Sequence, residues 1–148
     1  MDDRLYFNEQ HLAVREMVRA FARDEVAPIA ARFDESQDFP WATVKRMGEL
    51  GLLGIPWDES LGGSGFDTLA YVSAIQEMAK VCASHAITIS AHTTLGTSPI
   101  VHFGTPAQKE KYVPLLASGT VLGGFGLTEP GAGSDSGATR TTAVRKGG

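Results

Sequence analysis

A glycine-rich segment at residues 125–138 contains the side chains of this chain that are best suited to holding a ligand. It reads Phe-Gly-Leu-Thr-Glu-Pro-Gly-Ala-Gly-Ser-Asp-Ser-Gly-Ala, so hydroxyls, two carboxylates and several glycines follow a short apolar run. Glycines let backbone amides approach a ligand closely and adopt positive φ. The hydroxyls of Thr128 and Ser134 can donate hydrogen bonds. The segment therefore predicts a binding loop for a molecule that is polar and either flat or phosphorylated.

Two common phosphate-binding motifs do not fit this segment. A dinucleotide fingerprint places GxGxxG between a strand and a helix, whereas Gly131, Gly133 and Gly137 leave a last gap that is one residue too long. A threonine-rich, extended pattern follows them instead of a helix. A P-loop needs a lysine and a hydroxyl directly after its last glycine, and this segment has no such pair. Both a nicotinamide site and a P-loop are therefore excluded.

The two carboxylates of the segment, Glu129 and Asp135, are candidates for a paired acid and base. However, a glutamate followed by proline and glycine is typical of a turn that fixes a loop. We therefore favour a structural role for both carboxylates over a catalytic one.

The histidines and the single cysteine predict no metal site. His11, His85, His92 and His102 lack a ligand spacing with one another or with a pair of carboxylates, and are interpreted as surface or satisfied polar positions. Cys82 is the only cysteine, so neither an internal disulfide nor a thiolate metal cluster can form. Its place in a helical apolar pattern indicates a packing residue rather than a nucleophile.

Composition and charge narrow the class of protein. The chain has 148 residues, 43% of them hydrophobic, and a net charge of −4, so we expect a globular domain with a packed core. No basic cluster suggests nucleic-acid binding, because the trio Arg140, Arg145 and Lys146 is better interpreted as a solvated strand face. No apolar run reaches membrane-spanning length, and the first residues resemble neither a secretory nor a transit signal. These features predict a cytoplasmic protein with no membrane or nucleic-acid partner.

Helical periodicity fills the first hundred or so residues. Five helical stretches are predicted. The first follows an Asn8 cap and kinks or breaks near Pro28, the second runs from Pro40 to Gly51 or Gly54, and the third is capped by Asp67. The fourth runs from Ser84 to about Gly96, and the fifth from Thr105 to Gly119. Residues 55–65 are predicted to be a loop. The third helix is expected to bury Leu69, Val72, Ile75, Met78, Ala79 and Cys82, and the last to bury Tyr112, Leu115 and Leu116.

The pattern changes at Thr120, from helical to extended. Residues 121–127 and 139–144 read as two short strands. We therefore predict a mainly α chain, with a helical domain at residues 1–119 and the beginning of a β domain at residues 120–148. Two such strands leave their edges unpaired, so we expect the chain to be the N-terminal piece of a longer polypeptide.

Residues 126–138 closely resemble the first signature of the acyl-CoA dehydrogenases, and every constrained position agrees. The resemblance extends upstream through residues 103–119 and through residues 47–63, so it spans nearly the whole chain. It implies an N-terminal helical domain, a middle β domain and a C-terminal helical bundle, with FAD between the last two. This chain would then end within the first hairpin of the middle domain.

The resemblance also implies roles for individual residues. Phe125, Gly126, Leu127 and Thr128 would run beside the flavin ring, with the Thr128 hydroxyl at its polar edge. Gly133 and Ser134 would approach the ribityl and pyrophosphate part of FAD, and Ser134 would also touch the acyl-CoA. The glutamate base of the family lies in its C-terminal domain, beyond Gly148, so we assign no catalytic residue in this chain and do not assign that role to Glu129.

The implied activity is an FAD-dependent oxidation of an acyl-CoA thioester to the trans-2-enoyl-CoA, in the β-oxidation of fatty acids or the catabolism of amino acids. The implied partners are an electron-transfer flavoprotein as acceptor and further copies of the chain in a homotetramer. Two alternatives stay open: a non-catalytic binding or scaffolding member, and a related flavoprotein oxidase of the same architecture. The length and branching of the acyl chain are left open.

Overall fold

Seven α-helices account for half of the part of the chain that this computed structural model describes, residues 6–147. In chain order they are α1 (Glu9–Phe21), α2 (Ala27–Ser36), α3 (Trp41–Glu49), α4 (Thr68–Ala79), α5 (Ala83–Ala91), α6 (Ser98–Phe103) and α7 (Pro106–Ala117). Wide π-helical turns join α1 to α2 (Ala22–Val26) and α5 to α6 (His92–Thr97). Short 3₁₀ turns occur at Glu59–Leu61 and Ser136–Ala138.

The predicted helix starts at Asn8, Asp67 and Thr105 are confirmed by their capping hydrogen bonds. The Asn8 side chain accepts from the backbone N–H of His11 at 2.9 Å, and the Asp67 side chain accepts from that of Ala70 at 2.9 Å. Thr105 forms a capping box with Gln108. Such caps satisfy N–H groups that have no partner within the helix.

Two prolines follow the π-helical turns instead of breaking the chain of helices. Pro28 lies in the first turn of α2 and Pro99 in the first turn of α6. Proline lacks an N–H and its ring crowds the preceding turn, so a wider turn just before it accommodates both effects. Of the break and the kinked continuation that were left open at Pro28, the structure shows a continuation, through the π-helical turn at Ala22–Val26. The helix predicted to end at about Gly96 instead continues to Phe103.

The core lies where α4 packs against α1 on one side and α5 on the other. Fully buried side chains from these helices and from α3 and its following loop fill it: Val18, Met47, Leu52, Leu53, Met78 and Ile89. Burial of such side chains is the main favourable contribution to folding. The predicted loop at residues 55–65 is confirmed, and Gly51, with φ of 73°, turns the chain out of α3.

The buried face of α4 differs from the predicted one. Leu69 and Val72 are 38% and 51% exposed, respectively. Ala79 is exposed as well, whereas Met78 is buried as predicted, and Ile75 and Cys82 pack partly buried against the core. The other buried positions of α4 are Ala70, Tyr71, Ser73, Ala74 and Glu77. Apolar residues occur all round α4, so periodicity alone does not identify its buried face. That face carries small residues, which let α4 approach α1 closely. Likewise, Tyr112 and Leu115 of α7 are each 42% exposed, while Val113, Leu116 and Ala117 are buried.

The two predicted strands at residues 121–127 and 139–144 do not form a sheet. Within residues 6–147, β pairing is limited to one isolated antiparallel bridge between Glu129 and Ala132. An extended segment becomes a strand only when a second backbone completes its hydrogen bonds. Neither segment finds such a backbone in this part of the chain, so both stay extended and unpaired. The division into domains at residue 119 stays a prediction.

A buried carboxylate joins α1 to α4. Glu77 is 2% exposed and accepts hydrogen bonds from Arg15 at 3.0 Å, Arg19 at 3.1 Å and Lys80 at 2.9 Å. Burial alone would raise the pKa of Glu77, but hydrogen bonds from Arg19, Lys80 and Arg15 lower it to about 2 from its usual 4.5. The charged form is therefore the one that the fold stabilises.

Glu77→Gln is expected to lower the free energy of unfolding at pH 7 by about 3 kcal/mol, because it removes the buried carboxylate that pairs with the Arg15 guanidinium. The contribution of the Glu77 carboxylate is present above pH 4.5 and is lost as the pH falls from 4.5 to about 2. The urea-unfolding midpoints of the wild type and the variant should therefore converge as the pH falls from 4.5 to about 2. The exposed Glu49, paired with Arg46, supplies the control Glu49→Gln, which should change stability by less than about 1 kcal/mol. An equal loss for both substitutions would contradict the role of Glu77.

A glycine in α3 lets this helix touch the end of α7. A Cβ atom at Gly48 would lie 2.3 Å from the carbonyl oxygen of Ser118. In an isolated helix Gly48→Ala would stabilise by about 1 kcal/mol. Here we expect a net loss of about 1–3 kcal/mol in thermal or urea unfolding, because backbone must move apart to admit the methyl group. Gly124→Ala is the control, since a Cβ there meets no atom within 4 Å; stabilisation by Gly48→Ala would refute the close contact.

Candidate functional site

The first half of the glycine-rich segment has no regular secondary structure and presents its side chains to solvent. Phe125 is 55% exposed and Leu127 is 42% exposed, while Gly126 and Thr128 are also exposed. Large apolar side chains are usually buried, so this is apolar surface available for contact. The Thr128 and Ser134 hydroxyls make no hydrogen bond to any other residue within 6–147. The segment thus offers an apolar strip and two hydroxyl donors.

The glycines of the segment leave the backbone open on the outside. A Cβ atom at Gly124, Gly126, Gly131 or Gly133 would meet no atom within 4 Å. None of these four glycines has a positive φ, so the conformational freedom that glycine allows is not used at these positions. Neither crowding nor backbone strain within the described chain requires glycine here. Because glycine has no side chain, the backbone N–H and C=O groups at these positions are directly accessible, as is typical of a ligand-binding loop.

Glu129 closes the second half of the segment into a loop. Its backbone pairs with Ala132 through hydrogen bonds of 3.0 and 3.1 Å, so the chain reverses direction there and Gly133 and Ser134 follow the turn. Its carboxylate accepts from the backbone N–H groups of Thr141 at 2.9 Å and Arg140 at 2.8 Å. These bonds lower the pKa of Glu129. The structural role predicted for Glu129 is confirmed, and a carboxylate held in this way is a poor proton acceptor.

A buried histidine attaches the start of the segment to the helices. His92 is 2% exposed; its Nδ1 accepts from the backbone N–H of Gly123 at 3.0 Å, and its Nε2 donates to the carbonyl of Leu116 at 3.1 Å. Both bonds together require the neutral ring with hydrogen on Nε2. Burial lowers the pKa of His92, although the bond to Leu116 opposes this, so the neutral ring is the favoured form. His92 therefore joins the π-helical turn, α7 and the segment.

The backbones of Gly96 and Gly123 touch beside this histidine. A Cβ atom at Gly96 would lie 2.6 Å from the backbone of Gly123, and one at Gly123 would lie 2.8 Å from Cα of Gly96. The interpretation of His92 as a surface or merely satisfied residue missed this connection. A sequence signal did exist: His92 and Gly96 are four residues apart, on one face of a helical turn.

The described residues provide neither a metal site nor a membrane-spanning helix. No group of three or more His, Cys, Asp or Glu side chains in residues 6–147 is arranged to hold a metal ion. None of the helices in the same range is long and apolar enough to cross a bilayer. The chemistry that the segment itself supports is therefore binding through open backbone, two hydroxyls and apolar contact. These groups suit a large, flat, partly phosphorylated cofactor such as FAD.

Comparisons of the sequence and of the structure with known proteins both identify one family. Residues 8–120 match the family model described as acyl-CoA dehydrogenase, N-terminal domain. The chain is 51% identical, over 139 residues, to a short-chain specific acyl-CoA dehydrogenase of Clostridium acetobutylicum, covering 94% of this chain and 36% of that protein. The chain thus spans little more than a third of the length of this relative.

Two solved structures share the fold. The structure of butyryl-CoA dehydrogenase from Megasphaera elsdenii superposes with a TM-score of 0.87 at 37% identity, over 95% of this chain and 37% of that one. An acyl-CoA dehydrogenase complexed with FAD from Bacillus anthracis superposes with a TM-score of 0.81 at 37% identity, over 90% of this chain and 23% of that one. The helical architecture that the resemblance implied is confirmed. Together with the family match, these likenesses show that the chain belongs to the acyl-CoA dehydrogenase family and contains its N-terminal domain.

Proposed function

We propose that this chain supplies the N-terminal domain and part of the flavin site of an FAD-dependent enzyme that oxidises an acyl-CoA thioester to the trans-2-enoyl-CoA. The observation that carries the proposal is the open backbone at Gly126, Gly131 and Gly133, next to two hydroxyls that have no partner in residues 6–147. These backbone groups and hydroxyls lie in the segment that carries the family signature. Because they are exposed in this chain, they are available to bind a cofactor.

Each predicted site residue has a role that its surroundings support. The exposed Phe125 and Leu127 would provide apolar contact along one side of the isoalloxazine ring. The Thr128 hydroxyl would donate to the polar edge of the ring, where a donor stabilises the negative charge that develops during reduction. The bound FAD would supply the hydride acceptor.

The remaining residues would hold the elongated part of the ligands. Gly126 and Gly133 would let the backbone approach the cofactor, and Ser134 would donate to the ribityl–pyrophosphate portion and to the acyl-CoA. The loop that Glu129 closes keeps Ser134 near the turn. Glu129 itself has a lowered pKa, so we place the base that removes the α-proton outside this segment, in the C-terminal domain that the family resemblance implies.

The similarity to a short-chain specific enzyme and to a butyryl-CoA dehydrogenase favours a short, unbranched acyl-CoA as substrate. We further propose an electron-transfer flavoprotein as acceptor, a homotetramer as the assembled form and the cytoplasm as the location, as the resemblance and the single cysteine suggest.

The protein expressed from its full reading frame should purify with a flavin absorbance spectrum that bleaches when butyryl-CoA is added without oxygen. Thr128→Val should raise the Kd for FAD by about tenfold, since a charge-stabilising hydrogen bond is worth roughly 1.4 kcal/mol. Thr142→Val is the matched control, because Thr142 is also exposed and extended but lies outside the proposed contacts. Its FAD affinity should equal that of the wild type.

A folded protein that binds no FAD would overturn the proposed cofactor. If FAD binds but butyryl-CoA and longer acyl-CoAs leave the spectrum unchanged, the proposed reaction is wrong. Equal FAD affinities for the Thr128 and Thr142 variants would remove the role assigned to Thr128.

A further inference from the structure

The two ring nitrogens of the buried His92 face different parts of the chain. Nδ1 accepts the backbone N–H of Gly123, just before the glycine-rich segment, and Nε2 donates to the carbonyl of Leu116 in α7. The Thr97 hydroxyl donates to the carbonyl of His92 at 2.9 Å, so its oxygen, 3.5 Å from Nε2, can only accept from the ring. One nitrogen therefore faces the chain that leads into the proposed flavin site, and the other faces the helices.

In the described chain, His92 accepts the last hydrogen bond that the helices share with the backbone before the proposed flavin contacts. Residues 124–128 are exposed and make no hydrogen bond to another residue. The next hydrogen bond along the backbone, from Glu129 to Ala132, stays within the segment. The position of residues 124–128 against the helices is therefore set at Gly123.

Nδ1 can hold Gly123 only while it carries no hydrogen. Protonation of the ring adds a second N–H, which points at the N–H of Gly123 from 3.0 Å, so two donors face each other and the bond is lost. Gly123 cannot relieve this by moving toward Gly96, because a Cβ atom at Gly123 would lie 2.8 Å from Cα of Gly96 and the two backbones are already in contact. Gly123 is therefore expected to move outward, together with the exposed residues that follow it.

The groups that touch the His92 ring are uncharged. They are the N–H of Gly123, the carbonyl of Leu116 and the hydroxyl of Thr97. The titratable side chains on the helices around this turn make no hydrogen bond or ion pair with His92 in the described chain: Tyr71 on α4, His85 on α5, His102 on α6, and Lys109, Glu110, Lys111 and Tyr112 on α7. Burial lowers the pKa of His92 below its usual 6.5, and the bond to Leu116 opposes this. The ring is therefore neutral at pH 7 and becomes protonated only in acid.

We propose that Nδ1 of His92 positions the glycine-rich segment for FAD, and that protonation of this nitrogen releases the cofactor. The proposal rests on the FAD site proposed above and adds a dependence of its affinity on pH. The neutral ring holds Gly123 where residues 125–128 can reach the flavin, and the protonated ring does not. Because FAD binds the form with a neutral His92, its Kd is constant above the pKa of the ring. Below that pKa the Kd rises, by up to about tenfold for each pH unit.

The Kd for FAD is measured on the full-length, FAD-free protein between pH 8 and 4.5, by titration with FAD followed through flavin fluorescence. The wild-type Kd should be constant from pH 8 to 6.5 and should rise at lower pH, because protonation of His92 opposes binding. Circular dichroism at each pH checks that the protein stays folded. The Kd should return to its original value when the sample is brought back to pH 7.5.

Two substitutions separate the roles of the nitrogens. His92→Asn keeps an acceptor near the position of Nδ1, because its amide oxygen also branches from Cγ, and His92→Gln places an amide N–H near the position of Nε2. Each loses one hydrogen bond, so both should lower the thermal-unfolding midpoint. At pH 7.5, however, His92→Gln should raise the Kd for FAD by about tenfold and His92→Asn by less than about threefold. Neither amide titrates, so both Kd values should stay constant down to pH 4.5.

His102 supplies the matched control, because it is an exposed histidine on α6 that makes no hydrogen bond to the segment in the described chain. His102→Gln should follow the wild type in Kd at every pH. An acid-induced rise that is lost in His102→Gln but kept in His92→Asn would assign the titration to the wrong histidine and overturn the proposal.

Two further results overturn the proposal while leaving the proposed function intact. One is a wild-type Kd that stays constant down to pH 4.5, and the other is an equal rise in Kd for His92→Asn and His92→Gln at pH 7.5. If neither variant folds, the wild-type profile decides, since a reversible rise in acid supports the proposal and a constant Kd overturns it. A folded wild type that binds no FAD at pH 7.5 overturns the proposed function itself, so the two failures are distinguishable.

Discussion

The position of the glycine-rich segment depends on one close contact, in which the backbone of Gly123 lies against that of Gly96 and donates a hydrogen bond to His92. No strand ladder within residues 6–147 holds the segment in place. The hydrogen bond from Val121 to Leu115, at 3.2 Å, and the packing of Leu122 on the core are the other attachments nearby. Directly after Gly123 the chain is exposed, from Gly124 to Thr128. The helical domain therefore holds the residues that come just before the segment.

The helical core makes that attachment rigid. Glu77 joins α4 to α1 through buried charge, and α4 packs against α5, which leads directly into the turn that carries His92 and Gly96. Burying a carboxylate is unfavourable unless cations and hydrogen bonds compensate it, and three basic side chains do so here. A hydrogen bond to the carbonyl of Leu116 then ties the same turn to α7. Displacement of any one of these helices would shift the start of the glycine-rich segment with it.

Local features of this fold were predictable from the sequence, because they depend on neighbouring residues. The caps at Asn8, Asp67 and Thr105 and the turn at Gly51 are examples. The buried face of α4 was not predictable, since apolar residues surround that helix and only contact with α1 selects Glu77 over Val72. The residues proposed for the flavin site were identified from the family resemblance, whereas the structure showed what surrounds them. The structure showed the open space beside the glycines and the hydrogen bonds of His92.

Amide hydrogen exchange in the full-length protein, with and without FAD, tests the central claim most directly. The account predicts that the amide of Gly123 is protected in both states, because His92 accepts its hydrogen bond inside the fold. The amides of Gly126, Thr128 and Gly133, which make no internal hydrogen bond in the described chain, should exchange more slowly with FAD than without it. Rapid exchange at Gly123 would contradict its hydrogen bond to His92. If FAD leaves exchange unchanged at Gly126, Thr128 and Gly133, the segment does not bind the cofactor as proposed.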